Sequence, residues 1–463
     1  MIDCVCAWNS NQFIKRRLME RIGLFMNKNY EYLSVEHANY IKELIKKAAD
    51  KDINYDIFGA KSHKYHLNET VSLEWVRKFE KQYQVELPEE YVFFITKVGN
   101  GVAGPYYGIV PLGFDKKYEK YYNLSKPSIY DDRYLQFYKE CLALSQNNGS
   151  DDKAFLEKKF DAMCGRIEDG VLNINTQGCT YDTLLVVNGC RKGEIVYMDW
   201  NLELEYPPVL IHMTFLEWYQ GFFEEILAGY DIRGYGYHMR GDENELMEKY
   251  ASADSEVKSK IISTFFKFKF IDKETLSFIC HFDGVDDASR LKLILKFDVK
   301  KGLTFFEQFF NGNSEQMGIA INACLYIPNE YREPYYEKML DYIYGNFDDE
   351  LKRIAFIFIR DIKKLSAGDL FAFVKNKENS AGIRKTCIYV IGAANDKKEF
   401  VDTFVDILNT VDSEQILMET LVTLRNVKSE KIAQTYKALI PKYQDSNNPM
   451  IVKNMEYYLK HRV

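Results

Sequence analysis

A chain of 463 residues has room for two or three domains, each with its own core. Its 46% hydrophobic and 15% aromatic content excludes a disordered chain, and 61 basic against 68 acidic residues, net -7, disfavours a general nucleic-acid binder. That balance suits a protein partner with a basic surface. The nine cysteines are odd in number and scattered, as expected of small apolar residues in a reducing, cytoplasmic compartment. No run approaches the roughly twenty apolar residues of a membrane span, and the basic residues of the N-terminus follow its short apolar patch rather than precede it, so no export signal is expected.

Residues 1–29 are expected to form an N-terminal extension without fixed structure, in which Cys4 and Cys6 make a lone Cys-x-Cys with no further ligands nearby in sequence. From Leu33 the pattern turns helical: Ser34 can cap, and Ile41, Leu44, Ile45 and Ala48 fall on one face. Ser72 caps a second predicted helix that buries Val76, Phe79 and Tyr83, with Trp75 packed beside them. His63 and His66 lack a third ligand at partner spacing, so they are read as packed or solvated side chains, with no metal or cofactor.

Val85 to Gly113 reads as a helix, a glycine-rich turn and a strand. Leu87 precedes Pro88, which fits the first helical position, and Tyr91, Phe94, Ile95 and Val98 recur at helical spacing until Gly99 ends the helix. The turn Gly99, Asn100, Gly101, Val102, Ala103, Gly104, Pro105 offers positions for positive φ before Tyr106, Tyr107, Gly108, Ile109 and Val110 extend as a strand. A phosphate loop would need a Lys-Ser/Thr pair or a preceding strand, and neither is present. Residues 115–170 carry helical stretches broken by polar turns and are read as an insertion. Thr183 to Asn188 and Glu194 to Asp199 form a predicted hairpin, and Thr214 with Glu217 opens a helix whose Phe215, Trp218, Tyr219, Phe222 and Ile226 make one apolar face.

These blocks resemble the SUKH superfamily, the Smi/Knr-like domain of yeast cell-wall regulators and bacterial immunity proteins. The resemblance rests on LP-x-x-Y followed by GNG-x-AGPYYG, then on Gly178, Asn188, Gly189 and Gly193 around the hairpin and on the Trp218 helix. Tyr197 stands where the family usually has tryptophan. The resemblance implies an α+β domain over 30–229, a sheet flanked by helices, and a role in binding a protein rather than in catalysis.

Gly229, Gly234, Gly236 and Gly241 fall in a tyrosine-rich stretch, so 230–241 is predicted to be a linker. Beyond it, over 242–463, amphipathic openings recur about every 32 to 35 residues, from Gln316, Leu351, Ile383, Ile416 and Ile451. That period is similar to degenerate HEAT-type repeats and predicts an all-α solenoid.

No nucleophile, base and orienting group fall together, so no catalytic residue is assigned. Asp199, Glu203 and Glu205 suit an exposed edge better than acid-base chemistry, and His212 sits between Ile211 and Met213 as in a strand entering the core. What remains is a candidate partner-binding face. It comprises Tyr106, Tyr107, Tyr130, Asp131, Asp132, Asp199, Trp200, Glu203 and Glu205, with Asp151 and Asp152 in the same acidic strip. With the resemblance, this implies an immunity protein that occludes a basic toxin such as a nuclease or deaminase. The alternative is a cytosolic scaffold that joins one partner on the SUKH-like domain to another on the repeats.

Overall fold

The computed structural model describes residues 31–113, 123–131, 134, 136, 167–201, 208–282, 286–345, 347–446 and 448–461. The chain divides into two compact units: Met1–Arg240 with Phe266–Lys269, and Gly241–Phe265 with Phe270–Val463. The expected extension 1–29 and most of the expected insertion lie outside the described residues.

The first unit begins with α1 (Val35–Lys51), where the Ser34 hydroxyl accepts the His37 N–H and the face Ala38, Ile41, Leu44, Ile45, Ala48 is buried. A short α2 (Ala60–His63) precedes α3 (Leu73–Tyr83), capped by Ser72. Trp75 stacks on Phe79 at 6.1 Å and is half-buried against the core. In α4 (Glu89–Phe93) Pro88 is the cap itself, one position before the expected one. The helix then widens over Phe94–Val98, where Gly99 donates five residues back to the Phe94 carbonyl.

The glycine-rich turn is held by Asn100, whose side chain both donates to the Leu112 carbonyl and accepts the Leu112 N–H at 3.0 Å. The expected strand over 106–110 does not form. Tyr106 at φ 53° and Gly108 at φ 89° interrupt extended backbone, leaving only bridges from Ile109 to Val102 and to Asn175. Gly99 is at φ 174°, ordinary extended backbone, and Gly104 has no positive φ; its need is space, since a Cβ would lie 3.0 Å from Ile109.

Strands β1 (Val171–Gly178), β2 (Tyr181–Val186), β3 (Glu194–Asp199) and β4 (Val209–Thr214) form one antiparallel sheet in sequential order, with β2 and β3 as the expected hairpin. Alternation sends Leu185, Ile195, Tyr197, Ile211 and Met213 toward the helices, while Leu184, Val186, Val196, Met198 and Leu210 pack with Tyr130 and Tyr134 on the other face. Both faces are therefore apolar. Then α5 (Phe215–Ala228) opens on the Thr214–Glu217 capping box and closes at Gly229 in the left-handed region.

The segment expected as a linker packs on the first unit through Tyr235. Tyr235 is 2% exposed; its hydroxyl donates to the Trp218 carbonyl, and its own carbonyl accepts the hydroxyls of Tyr106 and Tyr197. Gly236 at φ 86° is required because a Cβ would meet the Tyr197 hydroxyl at 2.2 Å. Glycines that read as flexibility in sequence here permit close approach. Residues 266–269 return from later in the chain to complete this unit: Lys267 Nζ, fully buried, donates to Glu225 and to the Met239 carbonyl at 2.9 Å.

The second unit is helical: α6 (Glu243–Ser252), α7 (Ser255–Thr264), α8 (Lys273–His281), α9 (Asp287–Phe297), α10 (Val299–Phe310), α11 (Ser314–Ala323), α12 (Tyr336–Tyr344), α13 (Asp349–Arg360), α14 (Phe371–Lys375), α15 (Ala381–Ile391), α16 (Val401–Thr410), α17 (Glu414–Leu424), α18 (Glu430–Leu439) and α19 (Met450–His461). Helices α11, α13, α15, α17 and α19 pack each on the next, and so do α14, α16 and α18, with the core between the two layers. Asp242, Asp254, Asp272, Asp286, Asp298 and Asp348 each cap a helix through the side chain, so part of the chain's acidity is used at helix starts.

Candidate functional site

Four partly exposed aromatic residues of the first unit, Phe58, Tyr107, Tyr181 and Tyr237, gather on one face. Phe58 is 54% exposed and Tyr107 39%, and their rings meet edge to face at 5.3 Å. Gly59 at φ 85° sets Phe58 there, because a Cβ at this position would lie 1.9 Å from the Tyr106 carbonyl oxygen. Gly178, at the tight β1–β2 turn, leaves room for the Tyr107 ring 3.1 Å from where its Cβ would be. Tyr181 begins β2, and Tyr237 packs edge-on to Tyr197 at 5.1 Å. Tyr106 lies beneath, between Phe58 at 6.5 Å and Tyr197 at 6.0 Å.

This patch rests on a buried polar frame. The Tyr197 hydroxyl accepts the Trp218 indole N–H at 2.8 Å and donates to Tyr235, and Tyr219 donates to the Ala103 carbonyl at 2.7 Å. Burial pushes the hydroxyls of Tyr106, Tyr197, Tyr219 and Tyr235 well above the usual tyrosine range, so all remain neutral donors. Tyr237 is raised by burial and then by Tyr181 and Asp199 nearby. Rigid rings held by such a frame lose little freedom when covered by a partner.

Beside the patch lies a cleft of about 740 Å³, floored by Phe222 and Ile226 of α5 and edged by Asp52, Phe58, Tyr106 and Arg233. Several of its charged groups are bonded within the chain. Asp52 accepts the Asp56 N–H at 2.7 Å and the Tyr65 hydroxyl at 2.8 Å, Lys51 donates to the Leu227 carbonyl, and Arg233 forks onto Asp231. His63, 3% exposed, accepts the Tyr65 N–H; burial pulls its pKa down to about 4 against the opposing pull of Asp52. His66 is exposed, so the two histidines share no site. Among the described residues no group of three or more His, Cys, Asp or Glu is placed to hold a metal ion, and no helix is long and apolar enough to cross a membrane.

Of the residues expected on a partner-binding face, Tyr107 is on this patch. Tyr106 and Tyr130 are buried, the latter donating to the Ile167 carbonyl at 2.8 Å. Asp199 is 6% exposed, and its carboxylate is held below the usual range by the Thr180 hydroxyl and the Asn201 N–H. Trp200 donates to Asp182 at 2.8 Å, and Asp131 accepts the Tyr134 N–H. Of the acidic strip, the described Asp131 and Asp199 are thus bonded to the chain's own groups, while Asp132, Asp151, Asp152, Glu203 and Glu205 lie outside the described residues. His212, expected to point inward, has φ 57° and a half-exposed ring 3.9 Å from Glu194.

The motif residues hold the scaffold. Leu87 donates its N–H to Glu80, Pro105 and Gly108 accept from Asn175, and Asn188 ties the hairpin turn to Leu124 and Ser125. Gly101, Gly189 and Gly193 take positive φ, and Tyr91 and Trp218 are fully buried. Sequence reasoning missed Phe58, Tyr181 and Tyr237; Gly59 and Gly236 beside two of them, and Gly178 three residues before Tyr181, were the available signal, since each marks a close approach. Comparison of the chain with protein-family models, curated proteins and solved structures finds no match.

Proposed function

We propose that this chain is a non-catalytic protein-binding module in which a SUKH-like first unit presents the patch Phe58, Tyr107, Tyr181 and Tyr237 to its partner. The observation that carries the reading is that these part-exposed rings stand on a fully bonded tyrosine and tryptophan frame, an anchor suited to burial under another protein. The resemblance of the sequence blocks points to a cytoplasmic immunity protein that occludes a toxin, a nuclease or deaminase being the class whose basic cleft would match a chain of net charge -7. A second reading, an adaptor, is supported by the stacking of successive helices from α11 to α19, which is compatible with a HEAT-like solenoid and offers a separate surface.

The test is growth rescue. Any toxin domain encoded beside this chain is expressed with it, and protection should appear at equimolar chain and vanish in Tyr107→Ser/Tyr237→Ser with an unchanged melting temperature. Catalytic turnover by the purified chain, or full protection by that double variant, would overturn the reading.

A further inference from the structure

One layer of the second unit carries its own exposed stripe. Tyr389 of α15 and Val422 of α17 are each 45% exposed, Tyr457 of α19 is 49% exposed, and Ile357 of α13 is partly buried at the corresponding place. Each lies near the C-terminal end of its helix, and the four helices pack one on the next, so the side chains form a row that crosses the helix axes. Contacts between neighbours join the row: Arg360 lies over the Tyr389 ring at 5.3 Å and bonds its hydroxyl, and Arg425 donates to Asn454 at 3.0 Å.

The flanking charge is mostly basic. One turn earlier on α13 and α15 stand Arg353 and Lys385, both exposed, and Arg425 is exposed at the end of α17. Of the acidic groups here, Glu456 is exposed beside Tyr457 and two others are answered. Asp361 takes both ends of the Arg360 fork at 2.8 and 2.9 Å, and Glu419 is half-buried, its pKa raised by burial against the pull of Lys385. Apolar rings set between cations on stacked helices match a ligand that supplies carboxylates and apolar side chains in alternation. The aliphatic Ile357 and Val422 in the row favour protein over a polyphosphate chain.

We propose that this stripe binds an extended, acidic protein segment. Packed helices stand about 8–10 Å apart, and an extended polyproline-II-like chain advances about 3.1 Å per residue with three residues per turn, so every third side chain returns to one face at that spacing and the segment carries an apolar residue at about every third position, with Asp or Glu between. This surface is independent of the aromatic patch of the first unit and takes a partner of opposite charge to the one proposed there.

The experiment is fluorescence anisotropy on the full chain with a fluorescein-labelled peptide of four Val-Glu-Glu repeats, alongside four Val-Lys-Lys repeats, oligoglutamate and a uridylate oligonucleotide. The Val-Glu-Glu peptide should bind best, with affinity falling as salt rises. Lys385→Glu/Arg425→Glu and, separately, Tyr389→Ser should each weaken it about tenfold with unchanged circular dichroism. Lys431→Glu, on α18 and paired with Asp402 at 2.6 Å, should leave it unaltered. Absence of binding, equal binding of the lysine peptide, preference for the oligonucleotide, or wild-type affinity in both stripe variants would each overturn the proposal.

Discussion

Lowering the pH should destabilise the first unit through His63 by an amount the structure sets. The ring is buried, and its pKa of about 4 compares with 6.5 in the unfolded chain. Between those values the unfolded chain binds the proton and the folded one does not, so stability falls as pH drops through that window and is unaffected by this group above it. From the two pKa values the loss is about 2 kcal/mol between pH 7.5 and pH 5, reaching about 3 kcal/mol at pH 4. Urea unfolding followed by tryptophan fluorescence reads the first unit alone, because Trp8, Trp75, Trp200 and Trp218 are all the tryptophans of the chain. The control is His63→Asn, whose side-chain oxygen can accept the Tyr65 N–H in place of Nδ1 without titrating. Other groups, such as Glu90 and Glu225, whose pKa values burial raises, titrate in both proteins and cancel in the difference. Equal pH dependence in wild type and variant would refute the reasoning.

Gly101→Val should lower stability by about 2 kcal/mol or more, since φ is +90° and the new Cβ would lie 2.7 Å from the Ile109 carbonyl oxygen, whereas Gly113→Ala, with nothing within 4 Å, should be neutral; paired thermal melts check both. Lys267→Met should cost about 3 kcal/mol by leaving Glu225 buried and unpaired, and adding Glu225→Gln should recover part of it, as a double-mutant urea series would measure.

What was legible in the sequence was local. Ser34, Ser72 and Thr214 cap the helices they precede because a hydroxyl three residues before a free N–H needs no distant partner, and the hairpin of β2 and β3 lies between its own turn residues. The recurrence of helices from Ser314 to His461 is likewise a pattern of near neighbours. Long-range partners decided the rest. Tyr106 read as surface until Tyr235, far along the chain, took its hydroxyl, and the stretch around Tyr235 read as a linker because its glycines were seen without the rings that they admit. Acidic residues looked like a binding face when Asp199 was already committed to Thr180.

Sequence alone thus determined where α1, α3 and α5 start, the β2–β3 hairpin and the helical periodicity, since caps, turns and hydrophobic spacing act over a few residues. Tertiary structure decided which aromatic and charged groups face solvent, because burial and hydrogen bonding depend on residues brought together from distant parts of the chain, as Lys267 is to Glu225.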